Sequence, residues 1–196
     1  MILKQILKRL YVVMIHPYIS IKLMLKGTKG FIILPQMTIN NIDKLHLGSN
    51  VRIGRNSRFL LLESYQGKNH VSDVTIGNNA YIGNRFTVLS GAPIHIDEDC
   101  LIADDVLITS ENHGMDPETC KSYGDNPLQV EKITIGKGCW IGAKAVILPG
   151  VELGEKCIVA AGAVVNRSFA PYTIIGGVPA KALKTFNFDK HQWVKC

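Results

Sequence analysis

Residues 133–165 read ITIGKGCWIGAKAVILPGVELGEKCIVAAGAVV, and an aliphatic residue returns at every sixth position: Ile135, Ile141, Ile147, Leu153, Val159 and Val165. Two residues before such positions stands a second, mostly apolar set, including Val51, Val74, Ile94, Val106, Ile133 and Val151. Side chains alternate along a strand, so both members of each pair point to one side. Glycine follows directly at Gly136, Gly142 and Gly154, where it is expected to let the chain turn a corner that other residues would strain. Three such hexapeptides close a triangular coil of eighteen residues. Coils stacked about 4.8 Å apart bury a continuous apolar axis.

The same phase extends toward the N-terminus. Leu47, Ile53 and Phe59 form a first coil, Ile76, Ile82 and Val88 a second, and Ile96, Ile102 and Ile108 a third. With the two coils above, all fifteen positions are apolar, and seven precede a glycine (Gly48, Gly54, Gly77, Gly83, Gly136, Gly142, Gly154). A globular strand-rich domain has no reason to hold one phase from Ile133 to Val165. The sequence therefore predicts an all-β parallel solenoid of about five coils over residues 43–184. Two interruptions break the phase: a polar insertion within Leu60–Asp73, and NHGMDPETCKSYGDNPLQVEK at residues 112–132. A solenoid has no structural use for a loop of the second length, which marks it as functional.

The 196 residues are 46% apolar and 19% charged, a composition that fits a folded chain. The net charge of +6 is local: Lys4, Lys8, Arg9, Lys22, Lys26 and Lys29 all precede the first acidic residue, Asp43. That is a basic arm on a neutral domain and not a nucleic-acid footprint. Ile2, Leu3, Ile6, Leu7, Leu10, Val13 and Met14 follow helical spacing, so residues 1–42 read as an amphipathic extension. It could cap the open base of the solenoid, lie on an anionic membrane, or do both. Its longest uncharged stretch, Leu10–Ile21, is too short to span a bilayer and no cleavage site follows it. A cytoplasmic location is expected, peripheral at the inner membrane face where the arm lies on the membrane. Residues 185–196 read as a tail. The five cysteines form no CxxC pair, and Cys100, Cys139 and Cys157 lie in the repeat, where reduced core thiols are expected.

The repeats, the loop opening ENHGMD, the run CWIGAKAVILPGVELGEKCIVAAGAVV and the closing GGVPAKAL resemble the hexapeptide-repeat acyltransferases. The resemblance covers residues 45–184 and is strongest to the maltose, galactoside and cell-surface-polysaccharide O-acetyltransferases. It implies a left-handed β-helix, acetyl-CoA as donor, no metal, and a homotrimer with active sites between subunits. It also implies that His113 is the general base, that Trp140 walls the site, and that Ala143 and Ala161 line the coenzyme slot. Asn166, Arg167, Lys181 and Lys184 match positions that contact the coenzyme. An imidazole can take a proton from a sugar hydroxyl at neutral pH. With histidine at the matching position, direct transfer without an acyl-enzyme is expected. Members acting on free disaccharides carry Asn and Asp where this chain has Gly83, Ser90 and Gly91. Tyr81, Asn84 and Ser90 are the nearby acceptor candidates, and a different glycan is expected, one held near the membrane such as a lipid-linked saccharide of capsule, O-antigen or exopolysaccharide assembly. Xenobiotic O-acetyltransferases and amino-sugar N-acetyltransferases share the base and the slot and stay open. A zinc enzyme of the γ-carbonic anhydrase type needs three converging histidines; His95 and His113 alone are spaced to stack. A non-enzymatic scaffold would have no need of His113, Trp140 and the slot together.

Overall fold

A computed structural model describes residues 16–118 and 121–196. The chain winds as a left-handed parallel β-helix with three flat faces. The fifteen apolar positions fall into three ladders of five, one per face. On the first, Ile53, Ile82, Ile102, Ile141 and Val159 are stacked in register and Ile175 adds a sixth rung. Phe59, Val88, Ile108, Ile147 and Val165 make the second. Leu47, Ile76, Ile96, Ile135 and Leu153 make the third. The members of all three ladders are buried, and with Val51, Val74, Ile94, Val106, Ile133 and Val151 they form one continuous core. Burying each such side chain contributes roughly 1.5–3 kcal/mol, so the coils are held mainly by this axial stack. Cys100, Cys139 and Cys157 are free thiols inside it.

The glycines after the aliphatics serve a different purpose from the one expected. Gly48, Gly54, Gly77, Gly83, Gly136, Gly142 and Gly154 do not have positive φ. Each lies so close to the next coil that a Cβ would strike its backbone. The left-handed corner comes two residues later, at Asn50, Asn56, Asn79, Arg85, Gly138, Lys144 and Lys156, and it recurs at Asp99, Asp105, Gly150 and Gly162, where no glycine stands two residues before. Space, not backbone freedom, selects glycine after the aliphatic.

Pairing starts before Leu45. Ile32–Ile33 and Thr38–Ile39 lie parallel to Arg52–Ile53 and Arg58–Leu61, adding a partial coil at the base. Helix α1 (Pro17–Leu25) closes that base with Ile19 and Leu23 buried against the core. Lys22 Nζ donates to Asp43 at 3.1 Å, and Lys26 Nζ donates to the carbonyls of Ile42, Asp43 and Leu45. Helix α1 thus covers the base, while the helix expected around Ile2–Met14, for which capping was one reading, lies outside the described residues. Tyr18, Ile21, Met24 and Leu25 remain exposed on its outer side. Among the described residues no helix is long and apolar enough to cross a membrane. At the other end, Thr173–Gly177, Ala180–Asn187 and Gln192–Lys195 run antiparallel and extend the first face.

Candidate active site

Both interruptions leave the prism at the same edge, between the second and third faces. The insertion follows Arg58–Leu61, and the long loop follows Leu107–Thr109 two coils higher. In the loop, Glu111–His113 pairs antiparallel with Leu128–Val130, so His113 stands opposite Leu128 at the mouth of a hairpin. Its seat is built by small residues of the coil below. The Ser90 and Ser110 hydroxyls both donate to the Ala92 carbonyl at 2.8 Å, and Ser110 Oγ accepts from the Gly91 and Ala92 amides. A Cβ on Gly91 would lie 2.7 Å from Val130 Cγ1 and 3.0 Å from Glu111 Cβ, so only glycine lets the hairpin settle there. Asn126, buried, donates from Nδ2 to the carbonyls of Gly114 and Asp116 and ties the two limbs together. The His113 ring is exposed and meets the Tyr65 ring edge-on, with centroids 5.4 Å apart.

The other candidates lie elsewhere on the prism. Trp140 points outward from the first face, 49% exposed, in register with Leu101 and, beyond it, Tyr81, which are 44% and 43% exposed. Ala143 and Ala161 stack at the edge between the first and second faces, where the Gly162 amide donates to the Ala143 carbonyl at 2.8 Å. On the lower coils of that edge, Asn84 Oδ1 accepts from the Arg55 amide and its Nδ2 donates to Asp104 at 3.0 Å. Donation by the Asn84 side chain and amide holds the Asp104 carboxyl below its ordinary range. Asn84 is therefore engaged in a corner ladder. Above it the edge carries nothing larger than a methyl at 143 and 161, which leaves the backbone open to a slender ligand such as a pantetheine arm.

Asn166 and Arg167 lie on the His113 edge, higher up, with the Arg167 guanidinium 5.3 Å from the Phe169 ring centre. Lys181 and Lys184 are exposed on the strand that extends the first face. Tyr81 lies under the Arg52 guanidinium at 5.2 Å. Ser90 is fully buried in the hairpin seat. His95 projects from the third face, and among the described residues no group of three or more His, Cys, Asp or Glu side chains is placed to hold a metal. A single chain thus brings His113, Asn166 and Arg167 to one edge, and Ala143 and Ala161 to another. Among the described residues no hydrogen bond or ring contact joins His113 to Trp140.

Tyr65, Ser110 and Asn126 belong to the site but were not singled out in the sequence. Coil phase held a signal for the first of them: it places both interruptions on one edge.

The family profile described as the hexapeptide repeat of succinyl-transferase matches residues 132–167. A putative acetyltransferase of Dictyostelium discoideum is 36% identical over 148 residues, 74% of this chain and 76% of the relative. A putative lipopolysaccharide biosynthesis O-acetyl transferase of Escherichia coli K12, WbbJ, is 31% identical over 62% of this chain and 65% of its own length. The chain spans 56%, 60% and 65% of the length of three of the curated relatives it matches. Among solved structures, a hexapeptide-repeat acetyltransferase of Vibrio cholerae O1 biovar eltor in complex with acetyl-CoA is 25% identical, with a TM-score of 0.60 over 73% of this chain and 70% of that one. The period, the three ladders and these likenesses agree: the chain belongs to the hexapeptide-repeat acyltransferase family.

Proposed function

We propose that the protein transfers an acetyl group from acetyl-CoA to a hydroxyl of a cell-envelope saccharide, with His113 as general base. The observation that carries this reading is the exposed imidazole on a built hairpin seat at one edge of the solenoid. The ring accepts the proton of the acceptor hydroxyl as its oxygen attacks the thioester carbonyl. The tetrahedral oxyanion collapses, the coenzyme thiolate leaves, and the imidazolium returns the proton to it. A donor lying along Ala143 and Ala161 and an acceptor at His113 of the same chain would stand at different edges. A homotrimer in which a neighbouring copy sets the exposed Tyr81, Leu101 and Trp140 of its first face beside the His113 edge would unite the two halves in shared sites, and the exposure of these three large side chains supports that reading. The saccharide rests on the lipopolysaccharide-biosynthesis relative. A lipid-linked acceptor and a cytoplasmic location at the membrane surface rest on the outward Tyr18, Ile21, Met24 and Leu25 of α1. If replacing Ile21, Met24 and Leu25 by serine leaves binding to anionic vesicles unchanged, the membrane contact is wrong.

The deciding experiment follows thiol release from acetyl-CoA with free and lipid-linked saccharides. One saccharide should drive release, and His113→Ala should lose at least about a hundredfold in kcat. Binding of acetyl-CoA with no saccharide turned over would move the acceptor to amino sugars or drugs. Full activity in the alanine variant would remove His113 from the chemistry.

A further inference from the structure

The insertion at residues 62–73 folds as a hairpin, Ser64–Tyr65 against Lys68–Asn69, with Gln66 and Gly67 at its tip in left-handed conformation. Nothing in the solenoid requires it, because no other coil at that edge is lengthened below the long loop. It reaches instead to the long loop, and one of its side chains does so at two places. The Tyr65 ring lies edge-on to His113, at 5.4 Å and an interplanar angle of 62°. The Tyr65 hydroxyl donates to the carbonyl of Gly124, on the far limb of the loop, at 2.5 Å, and Gln66 Nε2 donates to the same oxygen at 3.2 Å. Tyr65 therefore touches the base on the near limb and holds the far limb by its hydroxyl.

A general base needs its ring held at a fixed angle, since displacement by about 1 Å can cost on the order of a hundredfold in rate. His113 is exposed, and its ring meets the Tyr65 ring edge-on. We propose that Tyr65 is a positioning residue: its ring sets the orientation of His113, and its hydroxyl joins the hairpin and the long loop into one acceptor-side wall. This rests on His113 being the base. The hairpin then acts on the angle of the base and on the loop beside it, and its printed partners, His113 and Gly124, include no residue assigned to the donor.

Two substitutions separate the two contacts. Tyr65→Ala removes both, whereas Tyr65→Phe keeps the ring and loses the hydroxyl. Tyr65→Ala should lower kcat for the acceptor by about tenfold or more with the KM for acetyl-CoA within about twofold. Tyr65→Phe should restore kcat to within about threefold of wild type while amide exchange quickens over residues 121–126. Independently of activity, the ring resonances of 13C-labelled His113, assigned through His113→Ala, should be displaced in wild type and Tyr65→Phe and should relax in Tyr65→Ala. Wild-type kcat in Tyr65→Ala, equal losses in both variants, or a His113 resonance indifferent to Tyr65→Ala would each overturn the proposal. A wild-type protein that transfers no acetyl group would instead overturn the acetyltransferase reading, and the resonance measurement would still decide whether Tyr65 orients the ring.

Discussion

Gly142→Ala is the sharpest test of how the coils are held apart. An added Cβ would lie 2.6 Å from the Ala161 amide nitrogen, 2.7 Å from the Val159 carbonyl oxygen and 2.9 Å from the Ala160 carbonyl carbon. Ordinary contact begins near 3.4 Å, so the coil above would have to retreat by about 0.8 Å. That coil is pinned on both sides of the glycine. The Trp140 and Gly142 amides donate to Cys157 and Val159 at 2.9 and 2.8 Å, and the Gly162 amide donates to Ala143 at 2.8 Å. Overpacking costs about 1–3 kcal/mol, and an obstacle made of backbone belongs at the upper end. The alanine recovers about 0.4–1 kcal/mol by restricting the unfolded chain. A net loss of about 2 kcal/mol is expected.

Gly162→Ala is the internal contrast. Its φ is +69° and a Cβ there would meet nothing within 4 Å. The left-handed conformation costs alanine roughly 1–2 kcal/mol, partly offset by the same unfolded-chain gain, for a net loss of about 1 kcal/mol or less. Guanidinium unfolding followed by tryptophan fluorescence, at one fixed protein concentration, compares the two by linear extrapolation. If Gly142→Ala is within about 0.5 kcal/mol of wild type, or Gly162→Ala is the more damaging, the spacing explanation for the glycines is wrong.

Other expectations follow from single contacts. Asn126→Ala removes two hydrogen bonds from a buried side chain, each worth about 0.5–1.5 kcal/mol, so amide exchange over residues 114–118 should accelerate while global stability changes less. Asp104 is held below the ordinary carboxylate value of 3.8 chiefly by the Asn84 side chain, so this contribution is present above that value and lost as pH falls through the depressed one. Asn84→Ala should therefore reduce stability near neutral pH by more than it does at pH 2, measured by unfolding at each pH. Burial pushes the Cys100 thiol up to about 11, and Cys139 and Cys157 are buried beside it. In a Cys120→Ser background, Cys196 should react with a thiol reagent at pH 8 within minutes, and the three core thiols should react on unfolding. Rapid modification of four thiols in the native state would contradict the closed core.

The ladders were legible because a six-residue period is long-range information written locally: each hexapeptide repeats the demand for an inward aliphatic, and register follows from phase alone. The reason for the glycines was not legible. Their position is set by the neighbouring coil's backbone, seventeen or more residues away, while the left-handed corner is occupied by Asn50, Asp99 or Lys144 as well as by Gly138. Asparagine and aspartate tolerate that conformation, so the corner leaves no single-letter mark. The candidate site divides in the same way. His113 could be picked out by its place at the mouth of an interruption, but Tyr65 lies in a different interruption, and no local pattern says that two polar insertions will touch. Phase supplies what pattern lacks. Counting hexapeptides places residues 62–73 and 110–132 on one edge of the prism with a single uninterrupted coil between them, a gap that a short hairpin can span. A solenoid thus gives each insertion an address, made of edge and coil, and addresses that nearly coincide identify the residues able to act together.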